Sequence, residues 1–200
     1  MDIAALLASL EASTLANRIR NSLYLFPLIE SSHVIGLTMV FGMIAIIDLR
    51  LLGVASTRRP FMRVASDVMK WIWAAFALTA VTGMLMFITN AGVYYHNFNF
   101  RSKMALLALA GINMLVFELT AGRTVHRWDK DAAAPLAGRA TAALSLVLWI
   151  GVIFMGRWAD KRFKGSAPGT GRLASELRSN KMLYFREIVA LLCLVLLAWE

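Results

Sequence analysis

Residues 71–100 form a stretch of thirty residues without a formal charge when His96 is taken as neutral. Water-soluble domains seldom contain such a stretch, because about a quarter of their residues are charged. A helix needs roughly 20 apolar residues to cross the hydrocarbon core of a bilayer, and several other segments of this chain approach that length. The sequence therefore predicts an all-α, polytopic transmembrane helical bundle.

Composition supports this class. The chain is 59% hydrophobic and 16% charged, and its mean hydropathy is +0.64, which is more apolar than a typical soluble domain. The apolar runs are continuous rather than alternating, which argues against a membrane β-barrel. Most of the basic residues behind the net charge of +9 lie between the apolar runs. We interpret them as contacts to the lipid bilayer and as topology signals, not as a nucleic-acid surface.

Four apolar segments predict a four-span core over residues 22–158. The predicted spans cover residues 22–47, 68–89, 104–122 and 140–156. Asp48 and Arg50 follow the first span and are expected to mark its edge. The lone cysteine, Cys193, excludes an intrachain disulfide and a cysteine-based metal cluster.

The two ends of the chain differ from this core. In residues 1–21 the apolar side chains recur at roughly helical spacing, which predicts an amphipathic interfacial helix. Residues 159–181 are charged and include a Gly-Ser-Ala-Pro-Gly-Thr-Gly run, typical of a flexible linker. Residues 182–200 predict a C-terminal apolar helix. It forms a fifth span if the helix crosses Arg186 and Glu187, and an interfacial or re-entrant helix otherwise.

The distribution of basic residues gives a conflicting signal for orientation. We call the side of the N-terminal tail side A and the side of the first loop side B. Side B carries nine Lys and Arg in two short loops, whereas side A carries four near the first three spans and eight more between residues 157 and 186. The flanks of the first span usually dominate, so we expect side B to face the cytoplasm.

His33 is the strongest candidate for a cofactor ligand. It stands fifteen residues before Asp48, about 22 Å away along a helix, which places it in the side A half of the membrane. His96, after the second span, is the only other histidine at a compatible depth, and Glu30 stands one helical turn before His33. These residues could hold haem b or copper, with Met39 or another methionine as a thioether ligand. Alternatively, the polar residues around Glu30 mark entry of the helix at the headgroup level, and the methionines pack the bundle.

Two further polar residues fall inside the third span. Glu118 is costly in a bilayer and predicts a partner. Candidates at matching depth are Asp48, Arg50, Arg123 and the start of the second span near Lys70. An ion pair joining the first and third spans is the structural interpretation, and a proton or ion pathway is the functional one. Asn113 is expected to make an interhelical hydrogen bond, and glycines in the spans are expected to allow close helix contacts.

Several short motifs carry a resemblance to a known group. They include Ile19-Arg20-Asn21-Ser22, Asp48-Leu49-Arg50-Leu51-Leu52-Gly53, Thr82-Gly83, Phe100-Arg101-Ser102-Lys103-Met104 and Leu148-Trp149-Ile150-Gly151-Val152. Over residues 6–158 the chain resembles a family of small uncharacterised bacterial inner-membrane proteins. That family is distantly similar in architecture to copper-resistance D-type and b-type cytochrome membrane domains. The chain departs from the group at Glu118, where members often carry a histidine.

No catalytic constellation is visible, since the chain lacks a Gly-rich phosphate loop, an HExxH motif and a cysteine pair. The sequence therefore favours an accessory or structural subunit of a membrane complex, binding a membrane-protein partner or a second copy of itself. The alternatives are a haem- or copper-binding redox protein that uses His33, and a transporter that uses Glu118.

Overall fold

A computed structural model describes residues 2–131 and 133–164 of the chain. This part contains helices and turns but no strand. The helices are α1 (Ile3–Glu11), α2 (Thr14–Asn21), α3 (Leu25–Leu52), α4 (Phe61–Thr89), α5 (Ala91–His96), α6 (Phe98–Leu119), α7 (Val125–Trp128) and α8 (Leu136–Lys164), with a 3₁₀ turn at Gly122–Thr124.

Four helical segments are long and apolar enough to cross a membrane. They are Leu25–Leu52, Phe61–Thr89, Phe98–Trp128 and Leu136–Gly156, with mean hydropathy between 1.8 and 2.0 over their most apolar windows. The protein is thus a multi-pass membrane protein, and the four predicted spans are confirmed. The helices extend beyond the predicted spans because their polar ends pack on neighbouring elements, which hydropathy does not register.

The spans pack in the order α4, α3, α8, α6. The main packing pairs are α3 with α4 and α6 with α8, and α3 also packs on α8. A central apolar cluster consists of Val40, Ala75, Trp149 and Val152. A second apolar cluster at the side B end contains Leu51, Phe61, Ala121, Val125, Trp128, Ala134 and Ala142. The outer helices expose large apolar side chains such as Trp71, as helices in contact with lipid do.

The N-terminal segment is two helices, not the single helix predicted for residues 1–21. The break lies at Ala12 and Ser13, and the Ser13 hydroxyl accepts a hydrogen bond from the Ala16 N–H at 3.2 Å, which caps α2. Spacing of apolar residues could not reveal this cap, because the pattern continues across the break. The Glu11 carboxylate accepts a hydrogen bond from the Gly92 N–H at 2.8 Å and so joins α1 to α5.

The predicted linker begins too early. Helix α8 continues to Lys164, so residues 159–164 are helical rather than flexible. The remaining linker residues, the C-terminal apolar helix predicted for 182–200 and the fifth span all lie outside the described residues.

Candidate functional site

His33 lies half-buried between α3 and α4 in a fixed orientation. Its Nδ1 is 3.0 Å from the Thr82 hydroxyl oxygen, and that hydroxyl donates to the Leu78 carbonyl at 2.7 Å. The shorter of the two carbonyl contacts of this hydroxyl assigns its hydrogen to Leu78 rather than to Thr79, and the oxygen then serves as the acceptor for Nδ1–H of His33. The backbone of Thr79 is a further hydrogen-bond partner of the ring. In this tautomer the neutral imidazole carries its lone pair on Nε2.

Two glycines bring α3 and α4 close enough for this contact. A Cβ built on Gly83 would stand 3.0 Å from Cε1 of His33, so a larger residue would displace the ring. A Cβ built on Gly36 would stand 2.5 Å from the Thr79 hydroxyl oxygen, which is closer than real carbon atoms approach. The sequence thus positions the ring through small residues on both helices.

A lysine from α6 completes the surroundings of His33. Lys103 lies close enough to act electrostatically on the imidazole. Its Nζ would be 3.8 Å from a Cβ built on Gly156 of α8, so the ammonium group lies alongside that helix. We call His33, Thr79, Thr82, Gly83 and Lys103 the His33 site.

The structure places the three predicted companions of His33 in different surroundings. Glu30 is half-buried one turn earlier on α3, while the Thr82 hydroxyl of α4 lies 3.0 Å from Nδ1 of the ring. His96 is exposed, and its ring packs edge-on against Tyr95 at 5.3 Å. Met39 is 37% exposed and stands six residues beyond His33, about 9 Å along the helix and on a different face. Within the described residues, no three His, Cys, Asp or Glu side chains form a metal-binding group.

Sequence reasoning missed Thr82 and Lys103 as parts of the site. Thr79, Thr82 and Gly83 recur at helical spacing in an otherwise apolar span, which places them on one face of α4. This face of small residues was the sequence feature from which Thr82 could have been identified as part of the site. Nothing local in the sequence indicates that it faces His33, which is forty-nine residues away in the chain.

Arg50 is buried at the opposite, side B end of the bundle. It is 0% exposed, whereas the sequence placed both Arg50 and Asp48 at the membrane edge. Nε donates to the Arg59 carbonyl at 2.9 Å, and a terminal nitrogen donates to the carbonyls of Asp131 at 2.9 Å and Asp129 at 3.3 Å. We call Arg50 and these three carbonyls the Arg50 cluster. It corrects the predicted edge, since α3 runs past both charged residues to Leu52.

The Arg50 cluster holds two loops against the end of α3. The loop after α7 is also joined to α4, because Asp129 accepts hydrogen bonds from the Phe61 N–H at 2.9 Å through its carbonyl and from the Met62 N–H at 2.7 Å through its carboxylate. The Ala134 N–H donates to the Leu51 carbonyl at 3.0 Å. These hydrogen bonds satisfy backbone groups that would otherwise be buried without partners.

The ion pair predicted for Glu118 is not formed within the described residues. Glu118 is exposed on α6, Arg50 binds main-chain carbonyls instead, and Asp48 lies near Ser145 of α8. Depth along a helix, counted from the sequence, could not show which face of α6 carries the carboxylate. Asn113 does join two helices, since its side-chain amide donates to the Thr141 carbonyl of α8 at 2.9 Å.

The glycines differ in their roles. Gly151 lies against Leu106, with 3.2 Å between a built Cβ and the nearest leucine carbon, as expected for a close contact between α6 and α8. A Cβ on Gly111 would meet nothing within 4 Å, so the close contact predicted there is wrong.

Comparison with known proteins places the chain in a family. No curated protein and no solved structure matches it. Residues 20–161 match a family of unknown function, DUF6644, over a region that includes both the His33 site and the Arg50 cluster. This agrees with the resemblance to an uncharacterised group over residues 6–158. Because the match covers most of the sequence, the chain belongs to the DUF6644 family of unknown function.

Proposed function

We propose that this protein is a bacterial inner-membrane bundle that binds haem b or copper through Nε2 of His33. The observation that carries the proposal is the orientation of the imidazole. Its Nδ1–H donates to Thr82, which leaves the lone pair of Nε2 available to a metal.

The surroundings of His33 suit a ligand role. Histidines that bind metals usually donate their second nitrogen to a neighbouring acceptor, which fixes the ring and raises the basicity of the ligating nitrogen. Thr82 supplies that acceptor, and Gly83 leaves room for the ring against α4.

Lys103 favours haem b over copper. Its ammonium group repels a copper cation beside His33 but attracts the carboxylates of a haem. Either cofactor would supply electron-transfer chemistry, while this chain provides the axial imidazole and a neighbouring cation.

A second ligand would have to come from another residue. Met86 is half-buried and lies one turn beyond Thr82 on the same face of α4, about 6 Å along the helix axis. It therefore fits better than Met39 as the thioether of the site. His33 of a second copy is the other source of a ligand, which would make the cofactor a bridge between protomers.

The decisive experiment is to purify the protein in detergent, record oxidised and reduced absorption spectra, and measure iron and copper. We expect a Soret band that sharpens on reduction and is lost in His33→Ala. Thr82→Val should weaken cofactor binding about 10- to 100-fold, the usual effect of removing the hydrogen-bond acceptor of a ligating histidine.

Thr38→Val is the matched control. The Thr38 hydroxyl also donates to a carbonyl of its own helix, that of Val34 at 2.8 Å, but it lies on α3 without a bond to His33. Equal loss of cofactor in both threonine variants would show that Thr82 acts through general packing and not through the imidazole.

A colourless, metal-free preparation would contradict the cofactor proposal. The chain would then be an accessory or structural subunit of a membrane complex, and co-purifying proteins or a homo-oligomer would be the next measurement. Transport through Glu118 predicts that Glu118→Gln removes flux from a folded bundle. Because Glu118 is exposed on α6, the described helices do not surround it as the walls of a transport pathway would.

We also propose that side B faces the cytoplasm. The basic residues of the first loop, Arg58 and Arg59, are exposed at that end, where anionic lipids would attract them. Reporter proteins fused after residues 130 and 160 would give opposite signals, and a cytoplasmic signal after residue 160 would reverse the assignment.

A further inference from the structure

Asp48 is a buried carboxyl group with an unused oxygen. It lies in the last part of α3 and is 5% exposed. Its Oδ2 has no hydrogen-bond partner in the described part of the chain, while the Ser145 hydroxyl of α8 lies close enough to act on the carboxyl. A buried acceptor without a partner is rare and points to something that occupies the place of the partner.

No basic side chain of the described residues neutralises Asp48. Arg50 stands two positions along α3, which puts it on another face of the helix, and burial and Ser145 are the influences on the Asp48 carboxyl. The charged side chains of the packed helices α4, α6 and α8 near this level are exposed; they are Arg63, Asp67, Lys70, Glu118 and Arg139.

The Asp48–Ser145 pair lies between two apolar clusters. On α8, Ser145 stands between Ala142 of the side B cluster and Trp149 of the central cluster. On α3, Asp48 likewise stands between Val40 and Leu51 of the same clusters. Apolar side chains therefore border the pair both toward side A and toward side B. A bare carboxylate in such a layer is strongly disfavoured, and buried carboxyls without a counter-ion become neutral instead.

We propose that Asp48, with Ser145, is an internal proton-binding site in the side B half of the bundle. The carboxyl is held as the neutral acid, because an uncharged carboxyl oxygen tolerates the lack of a partner at Oδ2 better than a carboxylate oxygen does. Release of the proton leaves a buried carboxylate, which the surrounding apolar side chains disfavour. This site is independent of any cofactor at His33.

Infrared spectroscopy of the full-length protein in detergent tests the proposal. We expect a carboxylic-acid C=O band in the wild type that disappears in Asp48→Asn, and that shifts in Ser145→Ala through loss of the hydroxyl contact. The Glu118→Gln variant removes an exposed carboxyl of the same chain and is expected to leave this band in place. Far-UV circular dichroism checks that each variant is folded.

Two outcomes would overturn the proposal. If Asp48→Asn removes carboxylate bands and leaves the acid band, Asp48 is ionised. If sodium ions raise the melting temperature of the wild type and not of Asp48→Asn, while no acid band is assigned to Asp48, the site binds a metal cation and not a proton. Should Asp48→Asn fail to fold, the band shift in Ser145→Ala decides instead, and an unshifted band contradicts the proposed site.

Discussion

The His33 site and the Arg50 cluster are both polar groups inside an apolar bundle, and they differ in what they leave unused. Arg50 is 0% exposed and donates to three main-chain carbonyls. His33 is half-buried, and one of its ring nitrogens is bound to Thr82 while Nε2 remains available. A buried polar group held by several main-chain acceptors stabilises the fold, whereas one with a spare atom in a fixed position can bind a ligand.

The two regions also differ in how the chain builds them. The Arg50 cluster gathers the loop before α4 and the loop after α7 around one guanidinium group. It therefore depends on contacts between loops that lie far apart in the sequence. The His33 site depends on two helices that approach through Gly36 and Gly83. About 25 Å of α3 separates the two residues, with the central apolar cluster between them.

The largest expected effect comes from Arg50→Lys. Lysine keeps the charge but cannot reproduce the planar fork, so it leaves some of the three carbonyls without a donor. We expect a loss of about 3 kcal/mol or more in the free energy of unfolding, measured by thermal unfolding in detergent. Arg58→Lys, at an exposed position in the loop before α4, is the control. Equal stability of the two variants would show that Arg50 stabilises the fold through its charge and not through the planar shape of its guanidinium group.

An intermediate effect is expected for Gly36→Ala. The new methyl group would overlap the Thr79 hydroxyl and force α3 away from α4, at a cost of about 1–3 kcal/mol. Gly111→Ala makes the same chemical change where nothing lies within 4 Å, so it should be neutral or stabilise α6 by up to about 1 kcal/mol. Thermal unfolding of the pair measures the difference. Equal melting temperatures of the two variants would contradict the close contact between α3 and α4.

The smallest effect is expected for Glu11→Gln, at the side A end. The substitution weakens the hydrogen bond from the Gly92 N–H, which is charge-assisted in the wild type. We expect a loss of about 1 kcal/mol, seen as faster hydrogen exchange in α5 with little change in melting temperature. Asp2→Asn is the control, since the Asp2 side chain makes no capping bond to α1. Faster exchange in both variants would assign the effect to net charge.

The sequence was informative where one physical property dominated. The four spans follow from the length of the apolar runs, which the bilayer fixes, and Asn113 follows from the cost of an amide without a partner in a membrane. The ends of the helices were less predictable. Arg50 was placed at a membrane edge because an arginine in an apolar run normally marks one, and only the loop carbonyls of Arg59, Asp129 and Asp131 make its burial favourable.

The candidate site was half visible in the sequence. His33 stood out as a histidine inside a span, but Glu30, His96 and Met39 were chosen as companions by depth and spacing along the chain. The structure adds Thr82 and Lys103, from two other helices. Depth is set by helical rise and can be counted, whereas the face that a residue presents to another helix depends on how the helices rotate about their axes.

By itself the sequence determined that residues 22–158 form a membrane bundle with four spans, the first of which carries His33. It could do so because transfer of apolar side chains into lipid is a local, additive property. Only the tertiary structure decided which nitrogen of His33 is available, that Arg50 binds loop carbonyls and that Asp48 keeps an oxygen without a partner. Those features depend on hydrogen bonds between residues far apart in the chain, whose geometry is fixed only when the helices pack.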